Sequence, residues 1–176
     1  MRTIKEDILS WSKDFLEIPN KHLNNFPVCP YAKKTRLDNH INIIEHNDSE
    51  TFLDVVVKES NNFKGKISIV ACSDLSLTAD ELADYVHALN IVFVPKDVYL
   101  MASHPEDFDE EIDFLQDTAW ESHNDFLMVL IQSFDELEEA SESLKKINYY
   151  NNWNEDYFNG TVEKRQQYKR LRNENC

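Results

Sequence analysis

Phe126-Leu127-Met128-Val129-Leu130-Ile131-Gln132-Ser133-Phe134-Asp135-Glu136-Leu137 carries two instructions in one short stretch. Phe126 to Ile131 is the most apolar run of the chain, which marks a central strand covered on both faces. Ser133 and Glu136 then stand at the spacing of a capping box, and Leu137, Ala140, Leu144 and Ile147 continue at helical steps. A buried strand that runs straight into an amphipathic helix calls for a sheet with helices packed on it.

The chain before this stretch repeats the theme. Val98 to Ser103 reads as a strand that follows the helix breaker Pro95, and Ile91 to Val94 is ambiguous between helix and strand. Thr78 and Glu81 form a capping box ahead of Leu82, Tyr85, Val86 and Leu89. Gly65 turns the chain into the apolar strand Ile67 to Cys72. A helix fits from about Ser49 to Ser60, with Phe52, Val55 and Val56 inward. Leu37, Ile41 and Ile43 alternate with Asp38, His40 and Asn42, the period of a half-buried strand. At the start, Thr3 and Glu6 open a helix whose Ile4, Ile8, Trp11, Phe15 and Ile18 share one face, and Pro19 ends it.

The expected fold is α+β: a single mixed sheet of about four strands with helices packed on it, preceded by an amphipathic N-terminal helix. Residues 1–148 form the core domain in this reading. Residues 149–176 are an extension, first aromatic (Tyr149, Tyr150, Trp153, Tyr157, Phe158) and then basic (Lys164, Arg165, Lys169, Arg170, Arg172). The aromatics are expected to tether this end to the core, and the basic tail to be a frayed, solvated helix. RNA, the molecule's own acidic face and a second copy are the other contacts open to that tail.

The 176 residues carry 33 acidic against 18 basic groups, a formal net charge of −15. Such a balance repels phosphate and anionic lipid, so neither nucleic acid nor a membrane surface is an expected partner. No apolar run approaches the roughly 18 residues of a membrane span, and the charged N-terminus lacks a signal core. The cysteines, Cys29, Cys72 and Cys176, are odd in number and far apart, which points to a reducing compartment and hence the cytoplasm. With only Gly65 and Gly160 in the chain there is no glycine-rich phosphate loop.

Chemistry concentrates at Phe26-Pro27-Val28-Cys29-Pro30-Tyr31-Ala32-Lys33-Lys34. Pro30 suits the first position of a helix, which would put Cys29 at its N-cap, where orphan N–H groups and nearby cations favour a thiolate. In this reading Cys29 is a nucleophile or redox thiol, His104 at the end of the third strand its base or orienter, and Lys33 the thiolate's stabiliser. The bland alternative is a buried small hydrophobe beside a capping histidine. Metal is a weaker alternative. Cys72 and His104 could join Cys29 around zinc, or Asp109, Asp113, Glu121 and His123 of the acidic 105–125 segment could hold a harder ion. That segment also fits an amphipathic helix with a solvated face. No other cofactor is expected. A non-enzymatic reading competes with all of these: a regulatory module that binds a protein partner, or self-associates, through its aromatic C-terminal region.

Two resemblances bear on the Cys29 stretch. Cys29-Pro30-Tyr31-Ala32 resembles the Cys-Pro-Tyr-Cys of glutaredoxins, with alanine in place of the second cysteine. The polar stretch from Asn20 to Phe26, however, leaves no room for the buried strand such a site follows. From Cys29 to about Leu144 the chain is more similar to an uncharacterised bacterial family, domain of unknown function 1415. Val28-Cys29-Pro30-Tyr31-Ala32 resembles its Leu-Cys-Pro-Phe-Ala motif, and Ala102-Ser103-His104-Pro105 its Ala-Ser-Phe-His-Pro motif with one residue missing. The family's strand-end histidine has no counterpart at Ile69-Val70-Ala71-Cys72-Ser73. This resemblance implies a shared Cys–His feature and no known activity.

Overall fold

The computed structural model describes residues 2–107 and 125–174. A four-stranded mixed sheet has the order β1-β2-β4-β3, formed by β1 (Ile41–His46), β2 (Ile67–Cys72), β3 (Val98–Ser103) and β4 (Leu127–Ser133). β1 and β2 run parallel, and β4 pairs antiparallel with both β2 and β3. The sheet with its helices, including an N-terminal one, is the α+β architecture expected from the sequence.

One face of the sheet presents Val70, Cys72, Leu100, Leu127, Val129 and Ile131 to α3 (Ser49–Asn61) and α4 (Ala79–Phe93). Phe52 and Val56 from α3, with Leu82, Val86 and Phe93 from α4, complete this core. On the opposite face Ile69, Ala71 and Met128 meet Ile8 of α1 (Ile4–Trp11). Further along that face, Tyr99 packs on Phe134 at the start of α5 (Phe134–Lys146) and on Tyr168 of a C-terminal helix. Every residue of β2 after Ile67 is buried, as a strand covered on both sides requires.

Several boundaries depart from the sequence reading. Leu37 closes α2 (Ala32–Leu37) and is 65% exposed, so the strand alternation starts only after Asn39 turns the chain at φ 55°. α1 passes into a π-turn at Ser12–Leu16, which rotates Ile18 away from the core to 47% exposure. Ile91 and Val92 are helical and about half exposed. Ser133 caps α5 through its hydroxyl, which accepts the Glu136 N–H, but Glu136 does not complete the box, and a different carboxylate braces this turn. The Asp97 carboxylate accepts from the Ser133 hydroxyl (2.9 Å) and from the Asp135 N–H (2.8 Å). Within the 105–125 segment Pro105–Asp107 is a 3-10 turn, and the helix expected beyond it lies outside the described residues.

The C-terminal part docks rather than frays. It comprises α6 (Glu155–Thr161) and α7 (Gln166–Asn173) after a 3-10 turn at Tyr149–Asn152. Arg165 is buried and pairs with Glu138 of α5 at 3.0 Å. Arg172 forms two bonds to the Asp135 carboxylate and donates to the Pro95 carbonyl. The basic tail thus meets the molecule's own acidic helix.

Buried Asn90 of α4 reaches sideways to β3, accepting from the Leu100 N–H (2.8 Å) and donating to the Leu100 carbonyl (2.9 Å). This side chain stands where a neighbouring strand would. Asn90→Ala leaves two buried backbone groups unpaired, so it should lower unfolding free energy by about 3 kcal/mol. Urea unfolding measures this; a loss below about 1 kcal/mol would show that water replaces the amide.

Candidate functional site

Cys29 lies on a turn held from two sides. Its own N–H donates to the Leu16 carbonyl (2.9 Å), and its carbonyl accepts from the Ala32 N–H (3.1 Å). Tyr149 is buried, and its hydroxyl reaches the carbonyls of Pro27 (3.0 Å) and Val28 (2.6 Å), fixing the backbone just ahead of the cysteine. The turn rests on the aromatic layer, where Phe26 packs edge-on against Tyr149 at 5.5 Å and Trp153 sits 5.4 Å from the same ring. No strand precedes Cys29; an isolated bridge between Pro19 and Pro27 closes the loop instead.

The expected N-cap geometry is shifted. Tyr31 is the N-cap of α2, so Pro30 precedes the helix and Cys29 stands two residues before the cap. The thiol still accepts from the N–H groups of Tyr31 and Ala32, and both contacts favour the thiolate. Cys29 is only partly shielded from solvent, yet desolvation of its sulfur outweighs these contacts and pushes the thiol above the usual cysteine value, with the Glu17 carboxylate adding to the rise. Lys33 is exposed, and its charge acts on Glu17 rather than on the sulfur. The cation close to this site, Arg36, is engaged by Glu17 through two bonds of 2.6 and 2.8 Å. That pair holds the Glu17 carboxyl below the usual carboxylate range. Sequence reasoning missed Glu17 and Arg36 here and read Tyr149 only as a tether of the C-terminal end, because their separations from Cys29 follow no local period.

His104 is buried at the other end of its own network. Its Nε2 lies 2.9 Å from the Leu77 carbonyl, and its Nδ1 accepts the Glu106 N–H at 3.1 Å. With Nδ1 accepting, Nε2 is the donor to the Leu77 carbonyl. Glu106 in turn accepts the Ala79 N–H at the first turn of α4 (3.2 Å). The imidazole therefore joins the end of β3 to the start of α4. Cys29 packs instead with the π-turn, α2 and the aromatic layer, and His104 is not among the groups that shift its thiol.

Cys72 ends β2 with its side chain in the α3–α4 core, fully buried. Burial raises its thiol too, against N–H contacts from Asp74 and Asp48. Both Cys29 and Cys72 are free thiols. Among the described residues no group of three His, Cys, Asp or Glu side chains is gathered to hold a metal. Asp109, Asp113, Glu121 and His123 lie outside the described residues. Two prominent hollows, of about 590 and 510 Å³, are open and mainly polar, and contain neither cysteine nor histidine. Both lie near the end where β1 and β3 begin, lined by Ile41 in one case and Val98 in the other, whereas Cys72 and His104 mark the opposite end.

No protein-family model matches the chain, and neither the curated proteins nor the solved structures include a match.

Two outcomes follow from this geometry. Asp74 accepts from the hydroxyl and N–H of Ser76 and of Ser49, and the Ser76 hydroxyl leads in holding its carboxyl far below the ordinary aspartate value. A folded-state pKa below the unfolded one gives stability that is present above the unfolded value and lost as pH falls through the folded one. Asp74→Asn should therefore flatten the acid side of the stability–pH profile while leaving its alkaline side unchanged; thermal melts between about pH 2 and 7 read this out. Cys29 should react with iodoacetamide at neutral pH at least about tenfold more slowly than a free cysteine thiol, and speed up as pH rises past its raised pKa. Peptide mass spectrometry over time distinguishes it from Cys72.

Proposed function

We propose that this chain is a protein-binding or regulatory module of the cytoplasm, with Cys29 and His104 as parts of its scaffold. The observation that carries this reading is His104: both ring nitrogens are occupied by backbone groups of the β2–α4 and β3 connections. A general base must have a free nitrogen within reach of the proton it takes. The raised Cys29 thiol points the same way. A net charge of −15 favours a cationic partner surface, since like charge steers anions away. The free thiols fit a reducing compartment, and no helix among the described residues is long and apolar enough to cross a membrane.

A second reading keeps Cys29 as a nucleophilic or redox thiol, in line with the resemblance to domain of unknown function 1415. It is favoured by one observation, the two N–H groups of Tyr31 and Ala32 on the sulfur. A conformational change that opens the turn would then have to lower the thiol pKa.

Binding and alkylation together separate the readings. With a tagged chain as bait, a stoichiometric partner that dissociates with salt should be recovered equally well by the unmodified protein and by Cys29→Ser. Rapid alkylation of Cys29 that slows about tenfold in His104→Gln, with the fold intact by circular dichroism, would overturn the scaffold reading.

A further inference from the structure

The two outer edges of the sheet are treated differently. On β3 the outward N–H and C=O of Leu100 are occupied by Asn90, and Tyr168 of α7 packs against Tyr99 nearby. On β1 the groups that point inward belong to alternate residues. The His40 carbonyl accepts from Ile67 and the His46 carbonyl accepts from Ser73, which assigns the even positions to β2. Ile41, Ile43 and Glu45 therefore direct their N–H and C=O outward. Among the described residues no side chain takes Asn90's place on these three, and Asn42 and Glu45 are exposed.

Charge along this edge is polarised. Its first half opens on a hollow lined by Lys5, Lys64 and Lys66 with Ile41 and Ile43, against the single carboxylate of Glu59. Its second half leads through Glu45 to Asp48 and Glu50. A clustering of lysines is unusual on a chain so acidic overall, and it calls for an acidic occupant. An antiparallel copy of β1, centred on Ile43, supplies one.

We infer that β1 pairs with β1 of a second copy about a two-fold axis at Ile43, joining two sheets into one continuous sheet. In this register Ile43 faces Ile43 of the second copy, and Ile41 faces its Glu45. The outward groups of Ile41, Ile43 and Glu45 are then matched, with about six backbone hydrogen bonds across the interface. Ile41, Ile43 and Glu45 share the face covered by α1, so the second copy's carboxylate enters the hollow on the side of Lys5. The two-fold repeats this contact, and the half-buried Ile43 side chains meet at the axis. The interface is distinct from the C-terminal aromatic region, whose rings are engaged within the chain, and it does not rest on the reading of Cys29 and His104.

Sedimentation of the purified full chain over a dilution series, with amide hydrogen exchange, tests this. The expected species has twice the chain mass, with slow exchange at Ile41, Ile43 and Glu45 that becomes fast on dilution to the monomer. Glu45→Lys and Lys5→Glu should each weaken the dimer roughly tenfold, and the double variant should recover it. Ile43→Pro removes an outward N–H without touching the β2 ladder and should leave a folded monomer, checked by circular dichroism. A monomer throughout the series overturns the inference. So does a dimer in which those three amides exchange rapidly or to which the charge reversals make no difference.

Discussion

The antiparallel strand β4 is the element on which the sheet depends. Among the described residues β3 has no other strand neighbour, and β2 meets β3 through β4 alone. Its Leu127, Val129 and Ile131 fill the α3–α4 core, while Met128 and Leu130 turn to the α1 face. Two consequences follow. Chain order leaves a gap one strand wide between β2 and β3, which is filled only after the segment that follows His104. The sheet is therefore closed by antiparallel contacts between distant residues, Ser68 with Ile131 and Cys72 with Leu127. Closure of that kind costs loop entropy before any apolar burial offsets it, so β4 docking is the natural late step of folding.

The same strand fixes where helices begin. Ser133 stands opposite Val98, so the end of β4 brings the first turn of α5 beside Asp97 at the start of β3. Asp97 adopts φ 64° and still has both carboxylate oxygens in use, on the Ser133 hydroxyl and the Asp135 N–H. α5 then presents Glu138 and Asp135 to Arg165 and Arg172, and these ion pairs seat the C-terminal helices beside the β3 edge. Edge shielding, helix capping and the docking of the tail are linked through one turn. Among the described residues no comparable turn serves β1, and the asymmetry between the two edges follows from that.

What the sequence made legible was whatever depended on local pattern. Val98 to Ser103 and Ile67 to Cys72 are strands with the expected limits, and the Thr3/Glu6 and Thr78/Glu81 boxes are complete. Errors arose where a distant residue decided a local outcome. Leu37 matched the alternation of Ile41 and Ile43, yet a left-handed Asn39 separates it from them. Ser133 and Glu136 had the spacing of a full box, but only the Ser133 half forms, and Asp97, far earlier in the chain, braces the turn through the Ser133 hydroxyl and the Asp135 N–H. The basic tail had no local sign of its partners, because Glu138 and Asp135 are visible only once α5 is in place. At the candidate site, Cys29 was found by its prolines; the buried tyrosine hydroxyl on its backbone and the Glu17–Arg36 pair gave no periodic signal.

The Cys29 thiol shows how magnitudes decide between two sound arguments. Helix N-termini favour anions by about 0.3–1 kcal/mol at an exposed site, an effect confined to the first turn. α2 spans only Ala32–Leu37, and Cys29 stands outside even its cap, so little of that field reaches the sulfur. Two N–H contacts help the thiolate, but desolvation of a buried charge can amount to several pKa units, and the Glu17 carboxylate adds repulsion. Arg36 is held by Glu17 and so does not offset that repulsion at the sulfur. The balance falls on the protonated thiol. A Cys-Pro step before a short helix activates sulfur only where a free cation or the helix field reaches it, and here Glu17 takes the nearby cation while Cys29 stands outside the helix cap.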